Sequence, residues 1–294
     1  MKTYFQYSSV FTKIGFGAGF ITNIFLIYLT VFHVKKIVGT YKTIVISFAI
    51  MGIVFAGWEL VSRPFMHNYD KALVYFSLAD GVPQFFQFSI AFYAMIYMSI
   101  LSFIAVQFVY RYLALFHLKI AQKFDGNGVF GWLGYPIIPG IIYGSSFYLY
   151  CQPDADSDDF NADGTLRWKN MCFLVQGVAV IGLHYAVIIY FGLQMHFNMK
   201  SKLKDYSSTY RRLQNQFFRA LVVQTMAPTI MFVIPAGCIL LGPLFSPIFG
   251  IHLSLQTGWL CSVFSLYPPI DSIAFMMIVT ETHRLLVHTT RNCG

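Results

Sequence analysis

The chain has 294 residues, of which 57% are hydrophobic, 18% aromatic and only 11% charged, against about 25% charged residues in soluble domains. With a mean hydropathy of +0.61, this composition excludes a soluble globular domain and points to a protein embedded in lipid. The formal charge of +8 does not signal a nucleic-acid partner, because the positive residues sit in particular connecting loops.

A membrane-crossing helix needs about 20 apolar residues. Residues 1–13 lack the apolar core and cleavage site of a signal peptide, so the first apolar segment, Ile14–Phe32, is expected to be retained as a helix. Thr43–Val61 follows with a single charge, Glu59. Arg63 stands at i+4 from it, which predicts an ion pair near the helix end, with a ligand-binding role as the alternative. Phe85–Tyr110 carries no charge over 26 residues, and Val129–Tyr150 none either. Cys172–Phe197 has only His184 and His196 as titratable groups, and Ala220–Ile270 runs for 51 residues without Lys, Arg, Asp or Glu. That last run is too long for one crossing. "GPLFSPIFG", Gly242–Gly250, predicts a turn that divides it into Ala220–Leu241 and Leu253–Val279.

The expectation is an all-α membrane protein, a bundle of seven transmembrane helices forming one domain over residues 1–294. Helices are expected because an open strand in lipid leaves backbone groups unpaired. Most Lys and Arg fall in one set of loops, including Lys35, Lys36, Lys119, Lys123 and the Lys200–Arg219 segment. The positive-inside bias places that set in the cytoplasm, with the N-terminus outside and the C-terminus inside. The 198–220 loop is also expected to meet anionic membrane lipid and a helix of an intracellular partner.

Candidate functional residues follow from charge at membrane depth. Arg111 stands about 39 Å along the third predicted helix, counted from Phe85, and so at the edge of a hydrocarbon core about 30 Å thick. One reading is a snorkelling arginine that ends the helix. The other is a switch that bonds a neighbouring helix in one state and faces an intracellular partner in another. In the seventh helix, "SLYPPIDSIAFMMIV" (Ser265–Val279) combines an intramembrane acid, Asp271, with the helix-bending pair Pro268 and Pro269. A two-state element is one reading; a carboxyl hydrogen-bonded to a neighbour such as Asn23 is the other.

Other chemistry is weaker. His184 lacks a second ligand at i+3 or i+4, so no metal is expected. Asp154, Asp156 and Asp158 match the start of a calcium loop, but Asp159 and Thr165 stand where Gly and Glu are required. Ser145 and Ser146 with His184 sketch a serine protease, yet glycine–serine pairs are ordinary packing devices between membrane helices. No enzyme activity and no cofactor are expected. Cys151 and Cys172 bracket the acidic segment on the expected outer side and are a candidate disulfide.

These stretches together resemble the nematode seven-transmembrane chemoreceptors of the Str class. "GFITNIFLIYL" (Gly19–Leu29), "GTYKTIVISFAIMGIVF" (Gly39–Phe55) with "RPFMHNY" (Arg63–Tyr69), "FVYRYLALF" (Phe108–Phe116), "LQNQFFRALVVQTMAPTIMFVIP" (Leu213–Pro235) and "YPPID" (Tyr267–Asp271) carry the resemblance in order. It implies a receptor of the plasma membrane, in the cilia of sensory neurons, that detects an odorant or other small chemical cue and signals through a heterotrimeric G protein. Arg111 and Tyr112 take the place of the third-helix arginine motif. Pro269 and Asp271 stand where other receptors keep their seventh-helix switch, and Arg219 joins the coupling surface. Phe92, Tyr93, Tyr97, His184, Trp259 and Phe264 are the candidates for the ligand pocket, chosen by depth and type.

The chain also departs from rhodopsin-like receptors. Tyr110, not an acid, precedes Arg111, so the usual restraining ion pair is absent. No cysteine lies in Pro83–Ala91 and no Asp in mid-helix 2, so neither the common third-helix disulfide nor a sodium site is expected. The tail after Val279 is short and the entry to helix 3 abbreviated, as a truncated gene model would produce. The rival class is a seven-helix transporter or ligand-gated channel; it would show repeated halves or a polar pore face, and neither is present.

Overall fold

The computed structural model describes residues 2–33, 39–69, 72–78, 82–123, 125–151, 168–235, 237, 254–255 and 263–277. Trp259, the 242–250 turn, the acidic segment 152–167 and the tail lie outside the described residues.

The helices in chain order are α1 (Lys2–Tyr28), α2 (Thr40–Ser62), α3 (Pro83–Phe116), the short α4 (Leu118–Gln122), α5 (Val129–Gly134), α6 (Ile137–Tyr150), α7 (Trp168–Lys202) and α8 (Ser208–Pro228), followed by α9 at residues 267–277. Several run past their apolar cores. α3 continues five residues beyond Arg111, so that arginine sits inside the helix rather than ending it. α8 begins 12 residues before Ala220, so most of the basic loop is itself helical.

α3 is the axis of the bundle. It packs against α2, α6, α7 and α8, and 89% of its apolar window is buried. α1 and α7 bury only 28% and 22% and turn the rest outward. Residues such as Ile21, Phe32, Val175, Val178 and Leu183 form that outer face, as expected for a surface solvated by lipid tails. Four described helices are long and apolar enough to cross a membrane unaided: those within Ser9–Phe32, Thr40–Ser62, Gln84–Phe116 and Met171–Lys202.

α6 lies on α3 through small residues. A Cβ built at Gly144 would stand 2.7 Å from Met95 Cβ and 3.0 Å from the Ala91 carbonyl, and one at Gly140 would collide with Ser99 Oγ. Only hydrogen at these two positions lets the backbones approach so closely.

Two helices are irregular, for reasons visible in their residues. Pro228 lies inside α8, where it cannot donate to the carbonyl four residues back, and a wide π-turn, Thr229–Val233, follows it. Thr225 and Thr229 return their hydroxyls to the carbonyls of Leu221 and Thr225, at 2.9 and 2.6 Å. The seventh-helix segment is interrupted by a turn at residues 265–266. Pro268 and Pro269 then occupy the first turn of α9, where the missing N–H groups cost nothing.

At the end of the bundle opposite Arg111 there is a feature that hydropathy does not announce. β1 (Pro64–Tyr69) and β2 (Ala72–Ser77) form an antiparallel hairpin, and β3 (Ser254–Leu255) adds to β1, in the order β2-β1-β3. Arg63 starts it by adopting a left-handed conformation (φ 40°) that stops α2.

Candidate functional site

Arg111 is buried, at 7% exposure, and this rules out the snorkelling reading. Its Nη2 donates to Gln214 Oε1 of α8 at 3.0 Å. Its guanidinium lies 4.7 Å from the ring centroid of Tyr41 on α2 and 4.6 Å from that of Phe217 on α8. Tyr41 meets Phe217 edge-on and stacks on Tyr110 with 7° between the planes. The arginine is thus clamped between two aromatic faces and tied to one amide, joining three helices. Desolvated cation–π contacts contribute about 2 kcal/mol, and a hydrogen bond to a charged group about 1.5–3 kcal/mol. Nε of Arg111 has no hydrogen-bond partner, so the cage does not use the whole fork.

The missing acid beside Arg111 is replaced by a relay. The Tyr110 side chain lies within electrostatic reach of Thr40 and Asp125, and Thr40 Oγ1 donates to Asp125 in the loop before α5. Tyr112, the other half of the expected arginine motif, turns away. It packs on Phe191 of α7 (4.9 Å) and on Phe116 and His117. Arg219 does not join the cage either; it lines a groove between α7 and α8.

Asp271 is buried at 4% exposure, and its Oδ2 accepts from Gln224 Nε2 of α8 at 3.3 Å. Asn23, the neighbour expected from the sequence, instead donates to the Gly19 carbonyl and accepts from Ser272 Oγ at 2.8 Å. The other oxygen of Asp271 and the amide oxygen of Gln224 have no hydrogen-bond partner. Pro269 is buried beside them, against α1: a Cβ at Gly19 would stand 3.5 Å from the rings of both prolines. Gln224 lies four residues before Pro228, so the latch between α8 and α9 sits one turn from the proline and the π-turn that follows it.

Glu59 does not pair with Arg63. Arg63 leaves the helix through its left-handed cap, which breaks the i+4 register, and the buried Glu59 carboxyl accepts from Ser265 Oγ instead. Replacing Ser265 with alanine is expected to cost about 1–3 kcal/mol, because it strips a partner from a buried carboxyl. Thermal unfolding in detergent measures this, with Ser265→Thr as the variant that retains the bond.

The pocket candidates divide. Tyr93 is buried and stacks on Phe55 at 5.0 Å. Phe92 packs on Trp58, whose Nε1 donates to the Ser89 carbonyl. Phe264 is buried at 2% exposure. His184 is buried, bonding the Val180 carbonyl at 2.7 Å and Tyr135 at 3.4 Å. Ser146 bonds the Ile142 carbonyl and Gln176, so His184 and Ser146 make no catalytic pair. Tyr97 lies in a cluster that spacing could not reveal: it is within electrostatic reach of Tyr143 (α6) and Tyr185 (α7), and Tyr267 (α9) of Tyr97, Tyr185 and Asp271. Four helices therefore bring tyrosines together above the Asp271–Gln224 latch. Their abundance hid them, since Tyr143, Tyr185 and Tyr267 are three of 19.

No disulfide joins Cys151 and Cys172 in the structure. Cys151 continues the last turn of α6, its N–H bonded to the Phe147 carbonyl, and Cys172 is held inside the first turns of α7.

Comparisons with known proteins agree with this geometry. Squid rhodopsin has the same fold, with a TM-score of 0.57 at 14% identity, over 98% of this chain and 87% of that one. The G-protein coupled receptor str-33 of Caenorhabditis elegans is 32% identical over 93% of this chain and 88% of its own length. Serpentine receptor class r-10 of the same organism is 25% identical over the same shares. The model of the serpentine type 7TM GPCR chemoreceptor Str matches residues 8–163 and 159–286. A seven-helix bundle with an arginine held at the foot of its central helix, matched over nearly its whole length, belongs to the Str family of serpentine G-protein-coupled chemoreceptors.

Proposed function

We propose that this chain detects a small odorant or other chemical cue and activates a heterotrimeric G protein from the plasma membrane of a ciliated sensory neuron. The observation that carries this reading is the Arg111 cage, which ties α3 to α8 at the end where the positive residues gather. Ligand enters the opposite half, near Tyr93, Tyr97 and Phe264, and binds one arrangement of α7, α8 and α9 more tightly. The Asp271–Gln224 latch and the π-turn after Pro228 let α8 pivot. Arg111 then exchanges Gln214 for the G protein, with Arg219 on the exposed coupling surface and Tyr112 bracing the foot of α3 against Phe191. One seven-helix domain covers residues 1–294, with its N-terminus outside and its C-terminus inside.

Membranes carrying the chain and a G protein, screened with volatile and water-soluble compounds, are expected to show ligand-driven nucleotide exchange. A ligand-evoked current without any G protein makes the chain a channel instead. Epitope tags on intact cells are expected to label at the N-terminus alone; labelling at the C-terminus overturns the orientation.

A further inference from the structure

A groove of about 790 Å³ runs between α7 and α8 at the Arg111 end. Lys200, Arg211, Arg212 and Arg219 line it, and no acidic residue does. Lys200, Arg211, Arg212 and Arg219 are all exposed, so the four charges are not spent on burial. Met199 and Leu203, both buried, back the groove, and Val223, one turn beyond Arg219, carries its lining into the apolar length of α8. Along α8 the lining extends from Ser208 to Val223, a rise of about 22 Å.

We propose that this groove binds one anionic phospholipid with a multiply phosphorylated headgroup, held by the four cations while an acyl chain lies along the apolar wall. A cationic floor beneath an apolar wall matches such a lipid and does not match a free phosphate. Val223 is 40% exposed on the membrane-facing length of α8, which supplies the path for the chain. Each basic side chain near a charged headgroup contributes about 1 kcal/mol, so four converging on one cavity exceed the attraction of a diffuse positive surface. The site bridges the two helices whose relative movement the receptor uses, so occupancy biases α8.

The test uses the purified full chain in phosphatidylcholine nanodiscs, with a fluorescent phosphatidylinositol bisphosphate as probe. The triple variant Lys200→Gln, Arg211→Gln, Arg212→Gln is expected to weaken binding about a hundredfold. The control Lys119→Gln, Lys123→Gln removes exposed charge from the same end, outside the groove, and is expected to change it less than threefold. Equal losses in the two variants show only diffuse attraction and overturn the proposal. Soluble inositol trisphosphate binding as tightly as the lipid also overturns it, because the apolar wall then contributes nothing. Arg→Lys variants at 211 and 212 are expected to retain most binding, which separates loss of charge from loss of fold.

Discussion

Replacing Gln214 with leucine is expected to raise ligand-free nucleotide exchange on an added G protein about ten- to hundredfold. Gln214 supplies the one hydrogen-bond acceptor that the buried Arg111 uses on α8. Leucine fills similar space without accepting, so the closed arrangement keeps a buried cation with one bond fewer. The open arrangement, in which the guanidinium faces water or a partner, loses nothing. The equilibrium therefore moves toward open by about the worth of a charged hydrogen bond, 1.5–3 kcal/mol. Arg111→Ala is expected to abolish exchange even with ligand, because the open state then lacks the cation. A purely structural Arg111 predicts a different pair of outcomes: both variants lose thermal stability and neither raises exchange.

The second large effect lies in packing. Gly144→Val is expected to destabilise the bundle by about 1–3 kcal/mol or to prevent assembly of α6 on α3, since the added carbons meet Met95 and the Ala91 backbone. Backbone cannot yield as a side-chain tip can. Gly182→Val on α7 is the matched control: nothing lies within 4 Å of a Cβ there, and its thermal midpoint in detergent is expected to stay close to that of the parent. Equal shifts in the two variants would mean that α3 and α6 are not closely packed.

How legible these features are in the sequence depends on what carries them. Long charge-free runs give the helices, because lipid admits few other solutions. Arg111 stands out for the same reason, as a cation where cations are costly. Its partners do not. Gln214 is an ordinary amide, and Tyr41 and Phe217 are two rings in a chain with 19 Tyr and 31 Phe. The same crowding hides the convergence of Tyr97, Tyr143, Tyr185 and Tyr267, which only the packing of four helices creates. The i+4 spacing of Glu59 and Arg63 misleads because it assumes a helix that has in fact ended at Ser62. The prolines of the seventh helix draw the eye, yet they occupy a harmless first turn. Pro228, within the stretch Leu213–Pro235, is the proline that a π-turn follows. The β-hairpin escapes notice because six-residue strands carry little signal beside apolar runs three times as long.

The central claim is that α8 leaves α3 when the receptor couples. The direct measurement is the distance between spin labels at Leu118→Cys, two residues past the end of α3, and Ser208→Cys at the start of α8, both exposed, in a background with the native cysteines replaced. Addition of nucleotide-free G protein is expected to lengthen that distance, and Gln214→Leu to populate the longer distance without it. A distance that stays the same with G protein bound contradicts the account.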